Sequence, residues 1–294
     1  MLTTWRYTLS SLRGHILGWG LGVAALGLIL VPFYDVFMEQ QADFLQMLES
    51  YPPQFLAFFG GDATSLATTE GYLGMYGFSM LPVITGIFAV IAGSGLLASD
   101  EEQGRLDLIV AHPVSRAGLF WGRTLAFVAA SVGILILGWL GFSILLGGSS
   151  LDVTWGQMAL PFLPLLAQTL IYGMLALLLS MLLPARRLAG AGAGLVLVVS
   201  YLVSSMAGLN ESLVAVARFL PYDYFQSSEA LNGLDWGSFL GLLAASVMMV
   251  LLAWWRFERR DIRVVGEGGW GLPSLRFGRR AKAAKEPSIA GLRS

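Results

Sequence analysis

The chain has no cysteine, only two histidines and only two lysines in 294 residues, and just 13% of it is charged. The missing cysteine excludes a disulfide scaffold and a Cys-ligated zinc site. His15 and His112 are too few for a His-rich metal centre. Both lysines, Lys282 and Lys285, lie near the C-terminal end, so no Gly-x-x-x-x-Gly-Lys-Ser/Thr loop is present to cradle a triphosphate. His-Glu-x-x-His and Gly-x-Ser-x-Gly are also absent, as is any cluster of carboxylates within an apolar run. Soluble domains spend roughly a quarter of their residues on charge. Half that share excludes an ordinary soluble enzyme and a disordered chain. The chain is read as non-enzymatic, with no cofactor or metal of its own.

What is present is apolar length. Hydrophobic residues make up 56% of the sequence, and the mean hydropathy is +0.69. A bilayer core about 30 Å thick needs roughly 20 apolar residues at 1.5 Å each. Six stretches qualify: 16–37, 73–98, 119–146, 157–183, 188–209 and 238–255. None is read as carrying Lys or Arg in its interior, Arg123 being counted with the connection before the third, and the only acidic residue inside one is Asp35, near an end. That scarcity fits a cost of about 2.5–3.5 kcal/mol for a charge at a span centre. The predicted fold is an all-α integral membrane protein with six transmembrane helices. The first stretch is too long for a signal-peptide core and lacks an A-x-A site, so it reads as a retained helix.

Charge gives the direction. The two ends and the even-numbered connections hold seventeen of the eighteen basic residues, and only Arg218 falls on the other side. Eleven of the nineteen acidic residues lie opposite, from Asp35 to Asp235. The positive-inside rule then predicts a multi-pass protein with both termini cytoplasmic. The preponderance of Arg over Lys, with abundant Gly and Ala, points to a prokaryote with a GC-rich genome.

The connections are expected to be structured. Trp5, Leu9, Leu12 and Ile16 recur at helical spacing, as in an N-terminal interfacial helix or an extension of the first span. Residues 38–72 and 210–237 carry aromatic and aliphatic groups that suit short helices at the outer interface. Gly14, Gly18 and Gly22, and Gly190 and Gly194, have the spacing that lets helices approach closely in lipid, within the chain or across a dimer seam. The tail, 264–294, is basic and rich in Gly, and is expected to lie on anionic membrane lipid rather than on nucleic acid.

The most specific segment runs from Ser99 to Gly122. After Glu101 and Glu102 come Gly104 and Arg105, then an apolar stripe of Leu106, Ile109 and Val110. Pro113 stops that helix, Ser115 is placed to cap the next, and Arg116 follows. A short helix across the membrane face cannot bury its stripe alone, so it sinks into the interface or fills a groove on a partner.

The run Asp-Glu-Glu-Gln-Gly-Arg-Leu-Asp-Leu-Ile-Val-Ala-His-Pro-Val-Ser-Arg resembles the cytoplasmic signature of the ABC-2 family of transporter permeases. Leu-Pro-Tyr-Asp-Tyr-Phe before the last span and Phe-Glu-Arg-Arg-Asp-Ile after it agree, and the similarity covers residues 1–263. The resemblance implies a six-helix transmembrane domain over 1–263, working in a dimer with a second copy or a related permease. It also implies separate ABC ATPase subunits that bind ATP and Mg and drive export of an amphipathic or apolar substrate. Glu101, Glu102 and Gly104 would then shape the entry to a coupling helix, and Arg105 is counted with the ATPase-coupling residues. Leu106, Ile109 and Val110 would fill the ATPase groove up to Pro113, and Arg116 would pair with an acid or phosphate. Two other readings stay open: a non-transporting membrane anchor of an ATPase complex, and an ion-coupled secondary transporter, for which Asp35 is the one candidate group.

Overall fold

The computed structural model describes residues 1–40, 46, 51–52, 68–102, 115–207 and 211–259. Among them all regular structure is helical, and six helices are long and apolar enough to cross a membrane. We label the helices α1 (Leu2–Glu39), α2 (Thr69–Gly95), α3 (Ala98–Glu102), α4 (Arg116–Ser143), α5 (Trp155–Leu182), α6 (Arg186–Met206), α7 (Glu211–Ala217) and α8 (Trp236–Arg259). Six apolar stretches thus become α1, α2, α4, α5, α6 and α8, and α3 and α7 are short pieces at the two ends.

Local chemistry sets the helix starts. The Thr68 hydroxyl accepts from the Gly71 amide (3.0 Å), which begins α2 four residues before the apolar run. Ser115 accepts from the Gly118 amide (3.0 Å) and caps α4, the role its position in the sequence predicts. Thr154 and Gln157 form a reciprocal capping box that starts α5. Asp235 accepts from the Gly237 amide and from the Ser238 hydroxyl ahead of α8. Those two bonds, the Ser238 one first, hold its carboxyl below the usual carboxylate range.

The N-terminal segment takes the second of its two expected forms. It is no separate interfacial helix but the first turns of α1, which is continuous over 38 residues. Nothing between Leu2 and Glu39 caps or stops a helix except Pro32, which lies near the far end. In α2, residues Leu73–Phe78 widen into one stretch of π-helix beside the Tyr34, Phe37, Tyr72 and Tyr76 rings. The 210–237 connection forms α7 and two 3-10 turns, Pro221–Tyr224 and Ser228–Leu231. Its Tyr222 hydroxyl donates to the Ser79 carbonyl oxygen (3.0 Å), and the Ser200 hydroxyl accepts from the Tyr222 amide (2.9 Å). These bonds fasten the connection to α2 and α6. The outer helices expected within 38–72 fall largely outside the described residues, as does the 264–294 tail.

The spans form two close-packed groups. α1 lies along α4, while α5 lies against α2, α6 and α8. Within each group glycine lets backbones touch: a Cβ on Gly141 would overlap the Ala24 backbone, and one on Gly93 would overlap the Gly173 carbonyl. Between the groups the filling is aromatic, with Phe88 stacked on Phe127 (5.9 Å) and Phe120 beside Phe257 (5.7 Å). The glycines singled out by spacing are not the ones in these seams. Gly14, Gly18, Gly22 and Gly194 have nothing within 4 Å of an added Cβ, and Gly190 has only Ser94 at ordinary contact. The intrachain packing role belongs instead to Gly27, Gly93, Gly141 and Gly173, because a four-residue spacing fixes a common face but not which neighbour that face meets.

Gly93→Val is therefore expected to lower the melting temperature in detergent, reflecting roughly 1–3 kcal/mol of overpacking. Gly22→Ala should leave it unchanged. Equal melting curves for the two variants would contradict this packing.

Candidate functional site

Met1, Asp100, Arg116, Arg186 and Glu258 meet at one end of the bundle, which we call the basic end. The opposite end is joined by Asp35 with Ser150 and by Glu70 with Asn232. The separation of basic from acidic connections along the sequence thus becomes a separation of the two ends in space.

The basic end is held by charged side chains on helix termini. A helix leaves its last carbonyls and first amides without intrahelical partners, and its dipole favours cations at the C-terminus and anions at the N-terminus. Leu96 is the C-cap of α2, and its carbonyl oxygen accepts from Arg123 of α4. The other terminal nitrogen of Arg123 donates to the Asp100 carboxylate on α3. This is the one ion pair among the described residues, and Arg123 is only 5% exposed. The Glu102 carboxylate accepts from the backbone amide of Arg186 (2.9 Å), the first residue of α6. The Arg186 guanidinium reaches back to the Ile91 carbonyl oxygen (3.3 Å) in the last turn of α2. Arg116, at the start of α4, donates to the Glu258 carbonyl oxygen (3.5 Å) at the C-terminal end of α8.

Of the residues singled out by sequence, Glu101, Glu102 and Arg116 are therefore at the basic end, on the two sides of the connection 103–114. Gly104, Arg105, Leu106, Ile109, Val110 and Pro113 lie outside the described residues. Arg123 corrects the reading of the sequence, which counted it with the connection and left the span interiors without Lys or Arg. It sits two turns inside α4, and Asp100 and the Leu96 carbonyl replace the water it gives up. The signal available was a lone Arg within an apolar run, preceded at some distance by a lone acid. Counting charges by connection hid it.

A second feature was not foreseen: the bundle interior is more polar than its composition suggests. On α5 the Gln168 amide donates to the Tyr172 hydroxyl (3.2 Å), and the Thr169 hydroxyl donates to that of Thr85 on α2 (3.0 Å). All four are buried, and the Gln168 carbonyl oxygen and the Ser204 hydroxyl have no hydrogen-bond partner among the described residues. No group of three or more His, Cys, Asp or Glu residues that could hold a metal occurs among the described residues.

With this arrangement in place, comparison with known families is decisive. The profile of the ABC-2 family transporter protein matches residues 18–262, which takes in α1 from residue 18, the other five spans whole and the connection between α3 and α4. The chain belongs to the ABC-2 transporter family. It is a multi-pass transmembrane transporter protein, of a kind whose membrane subunits generally pair with ABC ATPases. No curated protein matches it significantly.

Removing one partner of a buried ion pair typically costs about 3–5 kcal/mol, more than replacing both with apolar residues. Asp100→Asn, which leaves Arg123 enclosed without a countercharge, should therefore destabilise the ABC-2 protein more than Asp100→Leu combined with Arg123→Met. Melting temperatures of the variants in one detergent check the order, and the reverse order would deny the pair its structural role.

Proposed function

We propose that the chain is the transmembrane subunit of an ABC exporter, driven by ATP that a separate ATPase subunit binds with Mg and hydrolyses. The subunit works beside a second copy or a related permease in a bacterial inner membrane, with both termini cytoplasmic. Its cargo is amphipathic or apolar, in keeping with spans that offer chiefly aliphatic and aromatic surface. The chain itself is not an enzyme, which accords with the lack of a phosphate-binding loop. The fall of seventeen of eighteen basic residues in the ends and even-numbered connections of the sequence supports the orientation.

The observation that carries the reading is how the flanks of connection 103–114 are tied. Asp100 and Glu102 precede it and bind α4 and the start of α6; Arg116 follows it and binds the end of α8. A partner that pushes on this connection acts on α2, α4, α6 and α8 together. Leu106, Ile109 and Val110 supply the apolar stripe for that partner. Glu101, Gly104, Arg105 and Pro113 shape the turns on either side.

Extraction of the tagged chain in mild detergent should bring down a soluble ATPase with nucleotide-binding motifs, in about equal amount. Leu106→Asp with Ile109→Asp should leave the protein in the membrane but abolish substrate-stimulated ATP hydrolysis. Unchanged stimulation in that variant would refute the coupling role, and an ATPase that hydrolyses but moves nothing across proteoliposomes would favour the anchor.

A further inference from the structure

At the basic end a cleft of about 290 Å³ opens between α1 and the last turn of α2, close to the lower bound of roughly 300 Å³ for small-ligand sites. Ser11 and His15 line it from α1, Ile91 and Leu96 from α2, and Arg123 and Arg186 from α4 and α6. Its charges do not cancel. The Asp100 carboxylate in the cleft wall is taken up by Arg123. The Arg186 guanidinium rests on a backbone carbonyl and makes no ion pair among the described residues, since Glu102 meets Arg186 at its amide. Arg123, 5% exposed, also keeps an Nε with no partner. One cation is thus left for an anion, with the Ser11 hydroxyl and the His15 ring beside it.

The cleft does not end there. From Ser11 and His15 it continues along α1 as a shallow groove over Gly14 and Gly18, walled by Trp19. The two glycines keep the groove open, because neither would bring a Cβ within 4 Å of any other group. A cationic head pocket thus runs into an apolar channel on the outer face of a membrane-spanning helix.

We propose that this cleft seats the phosphate of an anionic lipid from the leaflet at the basic end, with one acyl chain laid along Gly14 and Gly18 against Trp19. Guanidinium groups recognise phosphate through paired, charge-assisted hydrogen bonds, and basic pockets between spans hold anionic headgroups. The site stands on the cleft alone, so its failure leaves the ATPase-coupling reading untouched, and the reverse also holds.

The test uses the full-length chain, stripped of lipid in detergent and read by native mass spectrometry with added phosphatidylglycerol or phosphatidylcholine. Phosphatidylglycerol should be retained in preference. Arg186→Gln should weaken its retention about fivefold, the effect of one cation near an anionic surface, and Arg186→Lys should restore most of it. Gly18→Leu, which has room to fold, should weaken retention by filling the channel. Should Arg186→Gln not fold, Ser11→Ala with His15→Ala, both at exposed positions, takes its place with the same expected direction. Equal retention of the two lipids, or unchanged phosphatidylglycerol retention in either the head or the channel variant, overturns the proposal. Displacement by equimolar glycerol 3-phosphate, which would mark a free-phosphate site, overturns it too. So does conversion of a dimer to monomers by Gly18→Leu, which would assign the groove to a second copy.

Discussion

A guanidinium enclosed among apolar helices must find its hydrogen bonds inside the protein, and Arg123 shapes the basic end by doing so. Its two partners are of different kinds. The Leu96 carbonyl is an orphan left by the end of α2, and Asp100 is a charge on the short helix that follows. One side chain therefore satisfies a helix terminus and neutralises a carboxylate, fixing α4 against the end of α2 and against α3. Glu102 on the first amide of α6, and Arg116 on a carbonyl at the end of α8, repeat the principle with the signs that helix dipoles favour.

Lipid supplies no hydrophobic force between helices, so the bundle depends on close approach and on internal polar bonds. The two contributions are distributed differently. Backbone touches backbone where α1 meets α4 and where α2 meets α5, at Gly27, Gly141, Gly93 and Gly173. Between the groups the contacts are made by rings, Phe88 on Phe127 and Phe120 beside Phe257. The hydroxyls of Thr85 and Thr169 and the Gln168–Tyr172 bond add directional contacts within the second group.

The spans, their number and the segregation of charge were legible in the sequence because each is a one-dimensional property: run length, hydropathy and the side on which a basic residue falls. Helix starts at Ser115 and Thr154 rest on local hydrogen bonds of the same range. What could not be read is pairwise. The spacing of Gly14, Gly18 and Gly22 marks a face of α1, yet the seam with α4 uses Gly20 and Gly27, where Leu137 and Phe142 approach. Arg123 belongs with Asp100, 23 residues away, and only the fold shows that it is buried. Glu102 stood out in the sequence as part of an acidic run ahead of the connection 103–114. Its cap on α6 joins residues 84 apart and follows from no local pattern.

The position of connection 103–114 gains meaning from the unequal packing. A bundle of two tight groups resists deformation most where glycine brings backbones into contact, and less where side chains alone make the contact, as Phe88 does with Phe127. The connection leaves α3, which is tied to both groups through Asp100 and Glu102, and returns at α4, which belongs to the first. A displacement applied there is resisted within each group and yields between them, along the boundary where the α1–α2 cleft already opens. The ion pair of Arg123 with Asp100 crosses that boundary. Parting α4 from α3 there would leave a buried guanidinium without its countercharge, a cost of about 3–5 kcal/mol, so this one salt bridge is the fastening of the basic end.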